Sequence, residues 1–214
     1  DSIRLMADLP FDTVTLSLAF TDRKDDYDKS AFGLVSEKNQ AIDGELDWTP
    51  GAGNNLYLFG TYAVRKSFQR NRQSGATPST SPLDDWSARF TENNDFWGFG
   101  WRREIAKHWT ADVSGKYSKS DGKADLFSPP GGSPDVALGF NNYEDYSLWT
   151  GLAQVDYHLT ANTSVGLSYR YEKYKIDSFI RQGLAYYLPG SLLLNANNGD
   201  YRAQVLALRL KLTL

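Results

Sequence analysis

The feature that most constrains this chain is a strict alternation of apolar residues with small or polar ones. In residues 13–21, Val14, Leu16, Leu18 and Phe20 alternate with Thr, Ser and Ala. Successive side chains of a β-strand point to opposite faces of the sheet, so this segment predicts a strand with one apolar face. No part of the chain sustains the 3.6-residue period of an amphipathic helix.

Similar strand patterns recur along the rest of the chain. They cover residues 42–48, 55–64, 97–102, 109–117, 149–159, 164–172 and 205–214. Segment 55–64 is apolar on both faces, so its orientation stays open. The sequence therefore predicts eight strands, and residues 2–7 fit the end of a ninth.

The alternation also assigns strand residues to two faces. We predict that the apolar set contacts lipid: Val14, Leu16, Leu18, Phe20, Trp149, Val155, Tyr157, Val165, Leu167, Tyr169, Leu206, Leu208, Leu210, Leu212 and Leu214. We predict that the polar set faces a lumen: Asp43, Glu45, Asp47, Asp112, Lys116, Gln154, Asp156, His158, Arg170, Glu172, Arg209 and Lys211.

Short and long connections alternate between these segments. The short ones are residues 8–12, 49–54, 105–108 and 160–163, and the long ones are 22–38, 66–94, 119–144 and 175–199. The long ones contain turn-forming runs such as residues 128–132 and 195–199. Tight periplasmic turns and long extracellular loops are typical of outer-membrane barrels, so the C-terminal end is predicted to lie in the periplasm.

Composition excludes several other classes of protein. The chain has no Cys, which excludes disulfides, thiolate metal sites and covalent haem attachment through its own residues. Its net charge of -3 does not favour a nucleic-acid partner. No run of 18 apolar residues is present, which excludes a transmembrane helix.

A soluble β-sandwich or lipocalin-like barrel would also alternate. Two observations favour a membrane barrel. The strands reach about 10 residues, whereas strands of soluble proteins average about 5–6. Aromatic residues gather near strand ends, as at lipid interfaces: Trp48, Trp101, Trp109, Tyr171 and Tyr201. The fold class is therefore predicted to be all-β, an antiparallel up-and-down transmembrane barrel.

The polar residues suggest no enzyme. Asp43, Glu45 and Asp47 form an acidic row, which is either a solvated lumen wall or a surface that docks a partner or selects permeants. His108 lies in a short turn, and His158 shares a face with Asp156 but lacks the partners that catalysis needs. The glycines of the Gly98-Phe99-Gly100 segment are interpreted as relieving crowding against a bulky neighbour or as a bend in the wall, not as a phosphate loop.

Three segments resemble the C-terminal part of the MtrB/PioB family. They are the units from residues 95 to 119 and from 146 to 171, and the strand from Phe11 to Leu18. The resemblance implies an outer-membrane barrel of a Gram-negative bacterium that sheathes a periplasmic multihaem c-type cytochrome. An extracellular cytochrome is a possible further partner. The haems would then belong to a partner chain, and this chain would carry no cofactor.

Family barrels have far more strands than eight or nine. Residues 1–214 are therefore expected to be the C-terminal portion of a longer barrel. The alternative is a stand-alone eight-stranded outer-membrane barrel that serves as a small-molecule channel or as a porin of the adhesion or stress type. Barrels of that size fill their own interior with side chains.

Overall fold

The computed structural model describes residues 1–27, 29, 31–72, 79–127, 143, 145–177 and 199–212. Nine β-strands make up nearly all of this part of the chain. They are β1 (Ser2–Phe11), β2 (Val14–Asp26), β3 (Gly33–Gly51), β4 (Asn54–Arg72), β5 (Asp85–Ala106), β6 (Trp109–Phe127), β7 (Asp145–Thr160), β8 (Thr163–Asp177) and β9 (Tyr201–Leu212). A single turn of 3-10 helix, Pro82–Asp84, precedes β5.

Each strand pairs antiparallel with the next one along the chain, in the order β1 to β9. The all-β, up-and-down fold class is thereby confirmed, and residues 2–7 belong to a ninth strand. Within the described residues β1 pairs only with β2, and β9 only with β8. These nine strands therefore form an open sheet whose two edges are β1 and β9.

Two-residue turns join the strands at one end of the sheet. They fall at residues 12–13, 52–53, 107–108 and 161–162. The last three lie inside the predicted short connections, whereas the predicted connection 8–12 is wrong in extent because β1 continues to Phe11. Asp12 and Gly53 adopt positive φ angles of 41° and 72°, the left-handed conformation that tight hairpins need. The other end of the sheet carries the longer connections.

The predicted long connections are wrong in extent, because the strands continue well into them. β5 has 22 residues and begins at Asp85, inside the segment predicted as loop 66–94. β3 begins at Gly33, and β6 continues to Phe127. These extensions contain many charged and polar residues, so their hydrophobic pattern is weaker than that of the predicted strands. The turn-rich segments 128–132 and 195–198 lie outside the described residues.

The sheet has no conventional hydrophobic core. In the described part of the chain the only buried hydrophobic residues are Ala88 and Ala124, and no large side chain is fully buried. In contrast, Leu206 is 71% exposed and Leu208 is 82% exposed. No helix among the described residues has the length and apolarity needed to cross a membrane.

The strand register aligns like residues in rows across the sheet. Leu16 pairs with Leu46, Leu46 with Leu58 and Leu58 with Phe99, all on one face. We call this side, which carries the exposed leucines, the apolar face, and the opposite side the polar face. This arrangement orients β4, which the sequence left open: Leu56 and Leu58 lie on the apolar face and Tyr57 and Phe59 on the polar face.

Candidate functional site: the two faces of the sheet

A band of the apolar face lies between two belts of aromatic residues. The first belt, near the two-residue turns, includes Trp48, Trp101, Trp109 and Tyr157. In the second belt the rings of Trp97 and Trp149 lie 5.5 Å apart, and that of Tyr117 lies 4.4 Å from Trp149. From Trp109 to Tyr117 the chain rises about 26 Å at ~3.3 Å per residue. Along a strand tilted by ~40° that length corresponds to about 20 Å in height, somewhat less than the apolar band of about 25 Å in outer-membrane barrels.

Beyond the second belt, the apolar face becomes charged; we call this region the charged margin. Several of its cations pair with carboxylates on the same face: Lys24 with Asp26 at 2.7 Å, Lys38 with Asp22 at 3.5 Å, Lys119 with Asp121 at 2.5 Å, and Lys123 with Asp125 at 3.0 Å. At the far end of β4 and β5, the hydrogen bond from Arg72 lowers the pKa of Asp85 below its ordinary value. The strands thus extend past the apolar band as an ion-paired sheet.

The register places all the described residues of the two predicted sets on two opposite faces. The twelve polar residues from Asp43 to Lys211 share the polar face, and the fourteen described residues from Val14 to Leu212 share the apolar face. Leu214 lies outside the described residues. Contact of these faces with lipid or with a lumen stays a prediction.

Six of the predicted polar residues come together at the turn end of β6 to β9. They line a groove of about 540 Å³ on the polar face: Asp112, Gln154, Asp156, His158, Arg209 and Lys211. Arg102, Thr110 and Ser164 complete its polar lining. We call this set the polar cluster.

An ion pair across three strands organises the polar cluster. Asp156 of β7 and Arg209 of β9 lie in one row with Gly166 of β8 between them. The Arg209 guanidinium donates to both Asp156 carboxylate oxygens, at 2.7 and 3.0 Å. A Cβ on Gly166 would lie 2.0 Å from Asp156 Oδ1, so only glycine leaves room for this carboxylate. The Gln154 side-chain amide donates to Asp156 Oδ2 at 2.6 Å.

The rest of the polar cluster offers neither a nucleophile nor a metal site. His158 Nε2 lies 3.0 Å from the Thr110 hydroxyl, and the ring has no carboxylate partner. His108 packs edge-on against Tyr157 at 6.0 Å between ring centroids. No group of three or more His, Asp or Glu among the described residues could hold a metal ion. The arrangement binds charges to one another rather than activating one of them.

Other predicted residues occupy separate grooves along the polar face. Lys116 and Arg170 line a second groove of about 480 Å³, and Arg170 pairs with Glu172 at 2.9 Å. The acidic row lies near the opposite edge of the sheet. There Asp43 accepts a hydrogen bond from Thr61 at 2.7 Å, and Asp43 and Glu45 line a groove of about 280 Å³. Asp47 pairs in register with Tyr57.

Glycines let large aromatic rings lie against the polar face. A Cβ on Gly98 would lie 2.6 Å from Phe59 Cζ and 2.8 Å from the Gly115 carbonyl oxygen. A Cβ on Gly100 would lie 2.1 Å from the ring of Tyr57. The interpretation that these glycines relieve crowding is confirmed. The rings lie along the wall because the neighbouring strand leaves space for them.

Sequence reasoning missed an ionic network further along the polar face. Arg65 of β4 bonds Glu37 of β3 at 2.9 Å and Glu92 of β5 at 3.5 Å. Glu37 and Glu92 fell in segments predicted to be loops, so no face was assigned to them. The available signal was the alternation of charge itself, as in Asp22, Lys24 and Asp26.

The open antiparallel sheet, its exposed apolar band and its aromatic belts are those of an outer-membrane β-barrel. A family model described as "Putative outer membrane beta-barrel porin, MtrB/PioB" matches residues 1–214. The chain belongs to the MtrB/PioB family of outer-membrane barrels, as its sequence resemblance indicated. No curated protein that was compared with the chain matches it.

A solved structure supports the same architecture. The chain is similar to the copper transporter OprC, with a TM-score of 0.63 and 9% sequence identity. The similarity covers 98% of this chain but 32% of the OprC chain. At this identity the likeness concerns the fold alone. The chain therefore spans about a third of the length of this larger protein.

Proposed function

We propose that this chain forms a section of the wall of an outer-membrane barrel that sheathes a multihaem c-type cytochrome. In this arrangement the apolar face contacts lipid and the polar face lines the lumen. The barrel holds the cytochrome across the membrane and insulates it. Electrons pass along haems of the partner chain, and this chain carries none. Family membership and the two unlike faces of the sheet support the proposal.

The observation that carries the proposal is that much of the polar face bears short side chains. On β2 this face bears only Thr15, Ser17, Ala19 and Thr21 along the length of the apolar band. On β8 and β9 small residues recur on this face, and two of them, Ser168 and Ala207, oppose each other directly. A wall of short side chains leaves room for a protein to lie close against it. Small barrels instead fill their interior with side chains.

The charges of the polar face also suit an insulating wall. Asp156 pairs with Arg209, and Glu172 with Arg170, so these charges are satisfied within the wall. Paired charges attract mobile ions and permeants less than a single-sign ring would. The family comprises barrels and porins, not enzymes, which agrees with a structural role.

The second candidate is a stand-alone eight-stranded barrel. The nine described strands form an open sheet, and β1 does not pair with β9 within them. The described strands therefore give this candidate no support. It would regain support from single-channel conductance by a closed monomer of this chain in a planar bilayer.

The proposal is tested on the native complex purified in detergent. We expect haem absorbance to copurify with the barrel. A paired substitution on the polar face, Ser168→Trp with Ala207→Trp, should then reduce the haem-to-barrel ratio about tenfold, because overpacking a contact costs about 1–3 kcal/mol. The matched control is Leu167→Trp with Leu208→Trp, which occupies the neighbouring row on the apolar face and should leave the ratio unchanged.

Two results would contradict the sheath function. One is an intact native complex without haem absorbance. The other is an equal loss of haem in both Trp pairs, since this would mean that the cytochrome does not contact the polar face.

A further inference from the structure

On β8 and β9 the charged margin carries cations directly at the edge of the apolar band. On β2, β3 and β6 its cations pair with nearby carboxylates: Lys24, Lys38, Lys119 and Lys123. On β8 and β9 three cations occur together, Lys173, Lys175 and Arg202. None of the three makes an ion pair or a side-chain hydrogen bond with any described residue. We call these three residues the cation group. Lys66 and Arg70 of β4 and Arg89 of β5 also make no ion pair with a described residue, but they lie further from the band.

The register sets like charges directly against each other. Lys173 pairs with Arg202 across β8 and β9, so both side chains lie on the same face of adjacent strands. Directly opposed like charges in a sheet are destabilising. Lys175 lies two residues further along the same face, about 6.6 Å from Lys173 at ~3.3 Å per residue. An anion placed between these three side chains would remove the repulsion.

The neighbouring carboxylates lie further from the apolar band. Asp200 accepts a hydrogen bond from the Ile176 backbone N–H at 2.9 Å. Asp177 is the last residue of β8. Asp177 therefore lies beyond the cation group, and Asp200 lies at the level of Lys175. On the side toward the band, the apolar face of β8 and β9 carries no carboxylate.

The surface below the cation group is apolar and exposed. Tyr169 and Leu206 pair in the second row below Lys173 and Arg202, and they are 40% and 71% exposed. Trp149 of β7 is in register with Lys173 and belongs to the second aromatic belt. A ligand that fits both regions has an anionic head at the cation group and hydrocarbon chains against the leucines.

We propose that the cation group and the adjacent apolar band of β8 and β9 bind a phosphorylated lipid of the outer membrane. Its phosphates contact Lys173, Lys175 and Arg202, and its acyl chains lie over Leu206 and Leu208. Lysine and arginine side chains at the edge of an apolar surface reach toward anionic headgroups in this way. The site follows from contact of the apolar face with lipid and does not depend on what the lumen encloses.

The test compares two triple variants of the native barrel protein in nanodiscs. One is Lys173→Gln, Lys175→Gln and Arg202→Gln; the control is Lys24→Gln, Lys119→Gln and Lys123→Gln, which removes the same charge from paired cations. Native mass spectrometry counts retained diphosphoryl lipid A against phosphatidylcholine. A thermal-shift titration with lipid A or with inorganic phosphate gives an independent measure.

We expect the first variant to lose lipid A affinity by about fivefold per cation removed. The control variant should retain the affinity of the unmodified protein, and inorganic phosphate alone should cause no thermal shift. Equal lipid A binding by both variants would overturn the proposal. A shift with inorganic phosphate equal to that with lipid A would also overturn it, because the site would then recognise the anion without its acyl chains.

Discussion

At the scale of single residues, the wall depends on glycines that leave space for neighbouring side chains. Gly98 and Gly100 admit the rings of Phe59 and Tyr57, and Gly166 admits the carboxylate of Asp156. In each case the glycine lies on one strand and the side chain that uses the space lies on an adjacent strand. The function of such a glycine is therefore defined by a residue distant in sequence.

Substitution of Gly98 by alanine is expected to destabilise the barrel by about 1–3 kcal/mol, because the new methyl group meets both a ring and a backbone oxygen. Gly151→Ala is the control, since its Cβ would have no neighbour within 4 Å. That change should be neutral or stabilise by about 0.4–1 kcal/mol. Urea unfolding of the barrel in lipid vesicles measures both. Equal stabilities of the two variants would show that the crowding at Gly98 is relaxed at no cost.

The ion pair between Asp156 and Arg209 makes a second prediction at this scale. The Arg209 side chain is 45% exposed, so water screens the interaction. A double-mutant cycle of Asp156→Asn and Arg209→Gln should give a coupling free energy of about 0.2–1 kcal/mol. Raising the salt concentration should lower that coupling. A coupling that is absent at low salt would mean that the pair does not hold β7 and β9 together through β8.

At the scale of strands, one face changes character along its length. β9 carries Leu206, Leu208, Leu210 and Leu212 on the same face as Arg202. β6 changes in the same way from Val113 and Tyr117 to Lys119 and Asp121. The change occurs at a similar level on neighbouring strands because the register aligns them. One level in the bilayer, the edge of the apolar band, thus explains why this face changes from apolar to charged at a similar position on several strands.

Leu208→Arg is expected to destabilise the barrel by about 2–4 kcal/mol, the cost of arginine on the lipid face near the bilayer midplane. The control is Ala207→Arg, one residue away on the polar face, which should change stability by less than about 1 kcal/mol. Folding yield and urea unfolding in phosphatidylcholine vesicles measure both effects. A larger loss for Ala207→Arg than for Leu208→Arg would reverse our assignment of the two faces.

The sequence predicted the strands within the apolar band and the face of each polar candidate there. This was possible because the lipid-length segments alternate strictly, as Val14 to Phe20 do. The extensions of β3, β5 and β6 were not predicted, because the face that is apolar within the band carries mainly charged and polar residues there. The pairing of Asp156 with Arg209 was also inaccessible, because it depends on a register across β8 and on the space at Gly166.

At the scale of the whole molecule, the nine strands form a wall with two unlike surfaces. Within the apolar band each interior strand pairs with both of its neighbours, so the sheet there meets the requirement that lipid imposes on backbone polar groups. The outer hydrogen-bonding groups of β1 and β9 are the exception within the described residues. Paired strands at these edges would complete the wall.

Cross-linking tests whether β1 and β9 adjoin. The chain has no Cys, so introduced pairs are the only thiols that it contributes. Met6→Cys with Ala19→Cys, a directly paired position of β1 and β2, should react with a short bis-maleimide. Met6→Cys with Ala207→Cys should not react, because the two strands lie at opposite edges of the sheet. Efficient cross-linking of the second pair within one molecule would support a small closed barrel.

The charged margin has a consequence for electrostatics at its end of the barrel. From Trp97 to Asp85, β5 continues for 12 residues, which is about 40 Å along the strand and about 30 Å in height after a tilt of ~40°. The Debye length at physiological ionic strength is about 8 Å. The mouth of the lumen therefore opens several Debye lengths above the lipid headgroups. In the sheath arrangement that we propose, a partner that approaches this rim encounters the potential of the barrel itself rather than the surface potential of the membrane.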